Sequence, residues 1–386
     1  MNTKKLDENY IAATYSRAPL VAVSGKGALV LDADGKEYID LGSGIGVNCF
    51  GVCDDEWVQA VEAQLHRIQH LSNLYYTEPQ ALLAQKLCER TGMKKVFFGN
   101  SGAEANECAI KCARKYSFDK YGDGRSTIIT LQNSFHGRTM ATLSATGQDA
   151  MHVNFAPFLE GFTYAPAQDF PALEALCGGK VCAVMLELVQ GEGGVIALDK
   201  AYVEKVASLC AQRDLLLIID EVQTGNGRTG ALYAYMQYGI SPDIVTTAKG
   251  LAGGLPLGCA LLGEKVENTL SAGSHGSTFG GNPICAAGAL SILSRLDDAL
   301  MSEVMAKGEY IKSELEGSKG VKSVTGLGLM VGIETEKDAK TIARECLEQG
   351  VIVLTAKSKV RLLPPLNIKK EELAKAIQIL KGVIAQ

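Results

Sequence analysis

The stretch Leu215-Leu216-Leu217-Ile218-Ile219-Asp220-Glu221-Val222-Gln223, followed by Ile244-Val245 and then Thr247-Ala248-Lys249-Gly250, decides how the chain is read. An apolar run that closes on an acid describes a buried strand with a carboxylate at its carboxyl end. The second apolar run delivers a lone lysine just beyond it. An amine and an acid so placed suit pyridoxal 5'-phosphate. The amine forms a Schiff base with the aldehyde, and the carboxylate keeps the pyridine nitrogen protonated so that the ring can accept electrons.

Working outward, short runs rich in Val, Ile and Leu at 95–98, 126–131, 181–186, 215–219, 244–247 and 259–262 alternate with helical patterns. This alternation predicts an α/β fold with a mostly parallel sheet covered on both faces, whose ligands sit at the carboxyl ends of the strands. Pro79 starts one of the helices and Gly92 stops it. Residues 28–32 and 36–40 alternate in polarity around an Asp34-Gly35 turn, so the first fifty residues read as a β-rich arm. A glycine-rich loop, 42–51, then leads into a helix that Asp54 can cap, with Trp57, Val61, Leu65 and Ile68 on one face. After Gly281-Asn282-Pro283 a long helical stretch runs to about Leu300, and a smaller α/β pattern follows. The expected organisation is an N-terminal arm at 1–52, a large cofactor-binding domain at 53–285 and a C-terminal small domain at 286–386. Both termini would build the small domain.

A chain of 386 residues with 47% apolar and 21% charged residues has the make-up of a globular enzyme of about two domains. Its formal charge of −5 speaks against a nucleic-acid surface and offers no attraction to anionic membranes. No apolar run approaches the ~20 residues of a membrane span. The charges of Met1-Asn2-Thr3-Lys4-Lys5 lack an apolar core behind them, so a cytoplasmic location is expected. Eleven cysteines without a CxxC pair read as reduced and mostly buried. His66 and His70 are spaced i, i+4 but lack the HExxH glutamate, and no metal site is expected.

Other segments carry chemistry in combination. Phe97-Phe98-Gly99-Asn100-Ser101-Gly102-Ala103-Glu104 reads as strand, turn and helix start, with Ser101 and Glu104 fitting a capping box. Small residues in that first turn leave backbone N–H groups open to a phosphate, although a plain capped helix has the same pattern. In Ser134-Phe135-His136-Gly137-Arg138, Phe135 can stack on a ring and Arg138 can clamp a carboxylate. His136 is a candidate general base, but Lys249 is better placed for the proton on Cα. Gly225-Asn226-Gly227-Arg228-Thr229-Gly230 is formally GxGxxG. It does not open a helix directly after a strand, and no acid follows at the required distance, so a nicotinamide dehydrogenase is disfavoured. Arg361, alone among apolar residues and prolines, suggests a pairing role, with Glu192 as a possible partner.

Together these segments resemble a family. Asp32–Asp40, Asn100–Asn106, Ser134–Thr139, Gln190–Gly194, Asp220–Gly225 with Gly227–Gly230, Ala248–Gly250 and Ser277–Pro283 occur in the order found in class III (fold type I) pyridoxal-phosphate aminotransferases. The resemblance is strongest to the acetylornithine branch. It implies that Lys249 holds the cofactor, Asp220 pairs with its ring nitrogen, Gln223 contacts its ring hydroxyl and Phe135 stacks on it, with Glu221 and Val222 beside them. Ser101, Gly102 and Ala103 would cradle the phosphate, joined by Thr278 from the neighbouring subunit of a homodimer, with Ser277 near the substrate. Arg138 would hold the α-carboxylate, and Glu192 with Arg361 would form a switchable pair that admits both amino donor and 2-oxoglutarate. The implied reaction moves the δ-amino group of N-acetylornithine to 2-oxoglutarate, giving N-acetylglutamate semialdehyde and glutamate. The alternatives are another ω-aminotransferase of the class, acting on ornithine, succinylornithine, succinyldiaminopimelate or 4-aminobutyrate, and a cofactor-binding protein without catalysis. Ile45 stands where ornithine enzymes are expected to carry tyrosine, which leans toward an acylated donor. The chain departs from the family at Gly51-Val52-Cys53-Asp54-Asp55, where Gly-His-x-His-Pro is usual.

Overall fold

The computed structural model describes residues 2–386. Its centre is a seven-stranded sheet in the order Lys95–Gly99, Gly258–Leu262, Ile244–Thr247, Leu216–Asp220, Val181–Leu186, Thr127–Leu131, Phe162–Ala165. Only Gly258–Leu262 runs antiparallel to its neighbours, so the other six strands end on one edge. The alternation of side chains builds a core on each face of the sheet. Leu217, Ile219, Val184 and Leu186 face the helices Lys200–Gln212 and Pro283–Ser294, whereas Leu216, Ile218, Ala183 and Met185 face the helix Gly102–Tyr121. That last helix presents Ala105, Cys108, Ala109, Cys112 and Ala113, all essentially inaccessible. Small side chains let it lie close against the strands.

The strands Ala22–Lys26, Leu29–Asp32 and Glu37–Asp40 form a second sheet, completed by Val351–Ile352 from the far end of the chain. A third sheet orders Val321–Leu327, Met330–Thr335, Lys359–Leu362 and Leu354–Ala356, and it carries Arg361 toward the large sheet. Where the family pattern is lost, Asp54 caps the helix Asp55–Leu65 by accepting the Trp57 N–H at 3.0 Å. That helix stops before Ile68, which is exposed. The long C-terminal helical stretch breaks at Arg295–Leu296, where Asp297 caps the helix Asp298–Leu315, rather than near Leu300. The edge strand Phe162–Ala165, the hairpin Val189–Gln190 with Ile196–Ala197, and the helix Thr3–Tyr10 are additions to the expected elements. Each is short or lacks a periodic apolar face.

Candidate active site

Five parallel strand ends converge on a cavity of about 450 Å³. Lys95–Gly99 leads to Asn100, Ser101, Gly102 and Ala103, and Thr127–Leu131 leads to Phe135, His136, Gly137 and Arg138. Val181–Leu186 leads to Glu187, Leu216–Asp220 to Asp220, Val222 and Gln223, and Ile244–Thr247 to Ala248 and Lys249. All of these line one space because parallel strands finish at one edge.

Asp220 is held by three donors. His136 Nδ1 and Asn106 Nδ2 both lie 2.8 Å from Oδ2, and the Val222 N–H reaches Oδ1 at 3.0 Å. Asn106 is fixed in turn by Thr246 Oγ1, which donates to its Oδ1 at 2.6 Å, and Asn106 also donates to the His136 carbonyl at 2.7 Å. Burial alone would push the His136 imidazole down, but its hydrogen bond to Asp220 overrides this and raises it above the ordinary histidine value. His136 thus serves the carboxylate and is not a free base.

Lys249 has φ +43°, a left-handed conformation rare for a residue with a side chain. Burial pushes its ammonium down to about 8, Glu192 and Asp220 oppose that, and Arg361 adds to it. A lysine so poised exchanges a proton readily near neutral pH. Neither Lys249 nor Arg138 takes part in an ion pair among the described residues, although His136 pairs with Asp220 in full burial and buried Arg361 pairs with the half-buried Glu192. Arg138 is exposed at the cavity wall with its guanidinium 5.4 Å from the Phe135 ring centroid.

The helix Gly102–Tyr121 points its N-terminus into the cavity. Ser101 Oγ accepts the Glu104 N–H at 3.2 Å, as a capping box requires. The reciprocal half differs from expectation, because Glu104 reaches back to the Asn100 N–H and not to that of Ser101. The N–H groups of Gly102 and Ala103 are left for an anion. Gly102 is demanded by packing, since a Cβ there would come within 2.6 Å of Val222 Cγ1.

Several expected residues lie off the cavity wall. Glu221 is fully buried on the other side, where it accepts from Tyr235 N–H at 2.8 Å and from the Thr224 hydroxyl. Burial raises its carboxyl to about 7. Glu192 and Arg361 pair at 2.6 Å behind Gln223, which does line the wall. Burial would raise the Glu192 carboxyl, but Arg361 holds it below its usual value. Ser277 Oγ accepts from Asn100 Nδ2 at 3.1 Å, just outside the wall, and Thr278 is exposed on the surface.

Asn106 and Glu187 were not anticipated. Glu187 lines the cavity, accepts the Phe135 N–H at 2.8 Å, and is raised to about 7 by burial. Its signal was present: it follows a fully apolar strand just as Asp220 closes one. Asn106 is a lone amide on the buried face of an alanine- and cysteine-rich helix.

Pyridoxal phosphate requires an amine, a fixed acid and an anion-binding backbone within one apolar-walled space, and the chemistry of these residues fits all three. No cluster of three or more metal-ligating side chains exists among the described residues, and none of their helices is long and apolar enough to cross a membrane.

The model of the class-III aminotransferase family matches residues 10–384. The acetylornithine aminotransferase of Haemophilus ducreyi is 53% identical over 386 aligned residues, covering 99% of this chain and 98% of its own. Among solved structures, the N-acetylornithine aminotransferase of Stenotrophomonas maltophilia superposes with a TM-score of 0.85 at 36% identity, covering 99% of this chain and 98% of that one. An ornithine aminotransferase of Toxoplasma gondii, with pyridoxal phosphate at partial occupancy in its active site, superposes with a TM-score of 0.94 at 32% identity, covering 99% and 93%.

Proposed function

The chain belongs to the class III aminotransferases, and we propose that it transfers the δ-amino group of N-acetylornithine to 2-oxoglutarate. The observation that carries the chemistry is the single cavity shared by the Lys249 amine, the anchored Asp220 carboxylate and the open helix N-terminus. The donor is supported by the 53% identity to an acetylornithine aminotransferase over nearly the whole of both chains.

In this reading Lys249, Asp220, Phe135, Val222 and Gln223 hold the ring of pyridoxal 5'-phosphate, and Ser101, Gly102 and Ala103 hold its phosphate. When bound, the cofactor supplies a carbonyl that condenses with amines and a ring that accepts electron density from the adjacent carbon. Asp220, fixed by His136 and Asn106, keeps a proton on the ring nitrogen. Arg138, unpaired at the mouth, takes the donor's α-carboxylate. The Lys249 amine, deprotonated above about 8, removes the proton from the carbon bearing the departing amine and returns it to the acceptor. Arg361 stays on Glu192 while the donor is bound and leaves it for the second carboxylate of 2-oxoglutarate.

We also infer a homodimer. Leu74 and Tyr76 are 85% and 104% exposed, and Phe279, next to Thr278, is 59% exposed with its ring tilted against that of His70 at 5.3 Å. An apolar surface of this kind suits a second copy, whose Thr278 would then complete the phosphate site. The domain division proposed is 1–52 with 286–386 around 53–285. Eleven unpaired cysteines support a reducing, cytoplasmic setting.

The test is kcat/KM for acetylornithine against ornithine and 4-aminobutyrate, with 2-oxoglutarate as acceptor. A preference for free ornithine would overturn the proposed donor while leaving the transaminase chemistry standing.

A further inference from the structure

Gln223 occupies an unusual place between the cavity and the Glu192–Arg361 pair. Its Oε1 accepts from Arg361 Nη1 at 3.1 Å, the same nitrogen that donates to Glu192 Oε1 at 2.6 Å. Its Nε2 lies 3.4 Å from that Glu192 oxygen. The stronger of its two contacts is therefore the one to arginine. Gly191 presses on the same amide: a Cβ there would stand 2.4 Å from Oε1, 2.6 Å from Cδ and 2.7 Å from Nε2. The φ of Gly191 lies outside the left-handed region, so a side chain at 191 would be met by the movable Gln223 amide and not by backbone strain. Arg361 itself is buried with its Nε unpartnered, which marks a guanidinium not fully satisfied where it sits.

We propose that Gln223 is a specificity-determining residue that holds Arg361 on Glu192 and so sets how readily the site opens to a dicarboxylate. The inference rests on the reading of Arg361 as the residue that changes partners. A ping-pong site must show a neutral wall to a donor with one carboxylate and a cation to an acceptor with two. A carboxylate at position 223 would hold the guanidinium too firmly, and an apolar residue would hold it too weakly. A neutral amide, kept in place by the bare Gly191 backbone, gives an intermediate grip. After Arg361 leaves, the Nε2–H of Gln223 stays with Glu192 and limits the cost of a stranded, half-buried acid.

The experiment measures binding to the holoenzyme by titration calorimetry, with glutarate and pentanoate as probes. They differ by one carboxylate and cannot react. The ratio of their dissociation constants reports the opening of Arg361, and general damage to the site cancels from it. Gln223→Glu adds a competing charge and should weaken glutarate about tenfold more than it weakens pentanoate. Gly191→Ala displaces the amide without altering it and should shift the ratio the other way, toward glutarate, by about threefold. Equal weakening of both probes, or an unchanged ratio in both variants, would overturn the proposal. Arg361→Ala separates it from its premise: if that variant keeps the wild-type ratio, Arg361 is not the second carboxylate's partner and the premise itself fails.

Discussion

Lys249 is a cation in a place that disfavours cations, and this single fact links its conformation to its chemistry. Removing it should lower kcat by about 10³-fold or more and abolish the absorbance of the lysine–cofactor Schiff base. A Lys249→Ala protein turning over at the wild-type rate would end the assignment. Glu221 offers a cleaner test of how burial acts on a single group. Its carboxyl is raised from 4.5 to about 7, chiefly by burial. The folded state therefore binds a proton that the unfolded chain releases between those values, so this contribution is complete below 4.5 and is lost as pH rises through 7. Glu221→Gln keeps an acceptor for Tyr235 and removes the titration. Chemical unfolding at pH 5 and pH 8 should show the variant losing less stability across that interval, by up to about 3 kcal/mol. Glu187, with the same shift and cause, remains in the variant and preserves part of the slope. At this scale Asp220 was legible in the sequence because it closes an apolar strand, and Lys249 because it stands just beyond another. Glu187 carried the same mark, and His136 revealed its role only when Asp220 was found 2.8 Å away.

The helix Gly102–Tyr121 and the turn after Asp220 meet at one contact, where Gly102 faces Val222. Gly102→Ala should push the helix N-terminus off that turn and weaken cofactor affinity about tenfold, measured by titrating apo-enzyme with pyridoxal phosphate. Val222→Ala in the same chain should recover only part of the loss, because it relieves the clash but removes a side chain of the cavity wall. If Gly102→Ala binds the cofactor as wild type does, the helix start is not a close-packed phosphate cradle. The helix start itself was readable from Ser101 and Glu104. The partner of the glutamate was not, because side-chain reach depends on how Asn100 turns the chain. Likewise the strand Leu216–Asp220 was evident as an apolar run, but a run without alternation does not say which residues face which helix.

Across the whole molecule, the exposed side chains from Leu65 to Tyr76 lie apart from the cavity, while Thr278 sits on the surface beside Phe279. Replacing Leu74 and Tyr76 together with aspartate should shift the protein to a monomer by light scattering. Activity should fall with the dimer, and the folded monomer should retain its helical circular dichroism. A monomer with full activity would show that each chain completes its own site. The sharing of one sheet by Glu37–Asp40 and Val351–Ile352 belongs to this scale too. Such pairing across more than three hundred residues leaves no local pattern, although both termini were expected to share one small domain.

By itself the sequence determined the class of fold, the strand ends that line the cavity and the two residues, Lys249 and Asp220, proposed as the cofactor's amine and acid. These depend on local order along the chain: apolar runs, the residues that close them and the glycines that turn them. Only the tertiary structure decided that Asn106 and His136 orient Asp220, that Glu187 supports Phe135, that Glu221 faces away and that Gln223 stands between the Glu192–Arg361 pair and the cavity. These depend on side-chain directions across elements far apart in the chain, and periodicity holds no record of them. Lys249 and Asp220 could be named from their neighbours in sequence, but the groups that tune them could be named only from their neighbours in space.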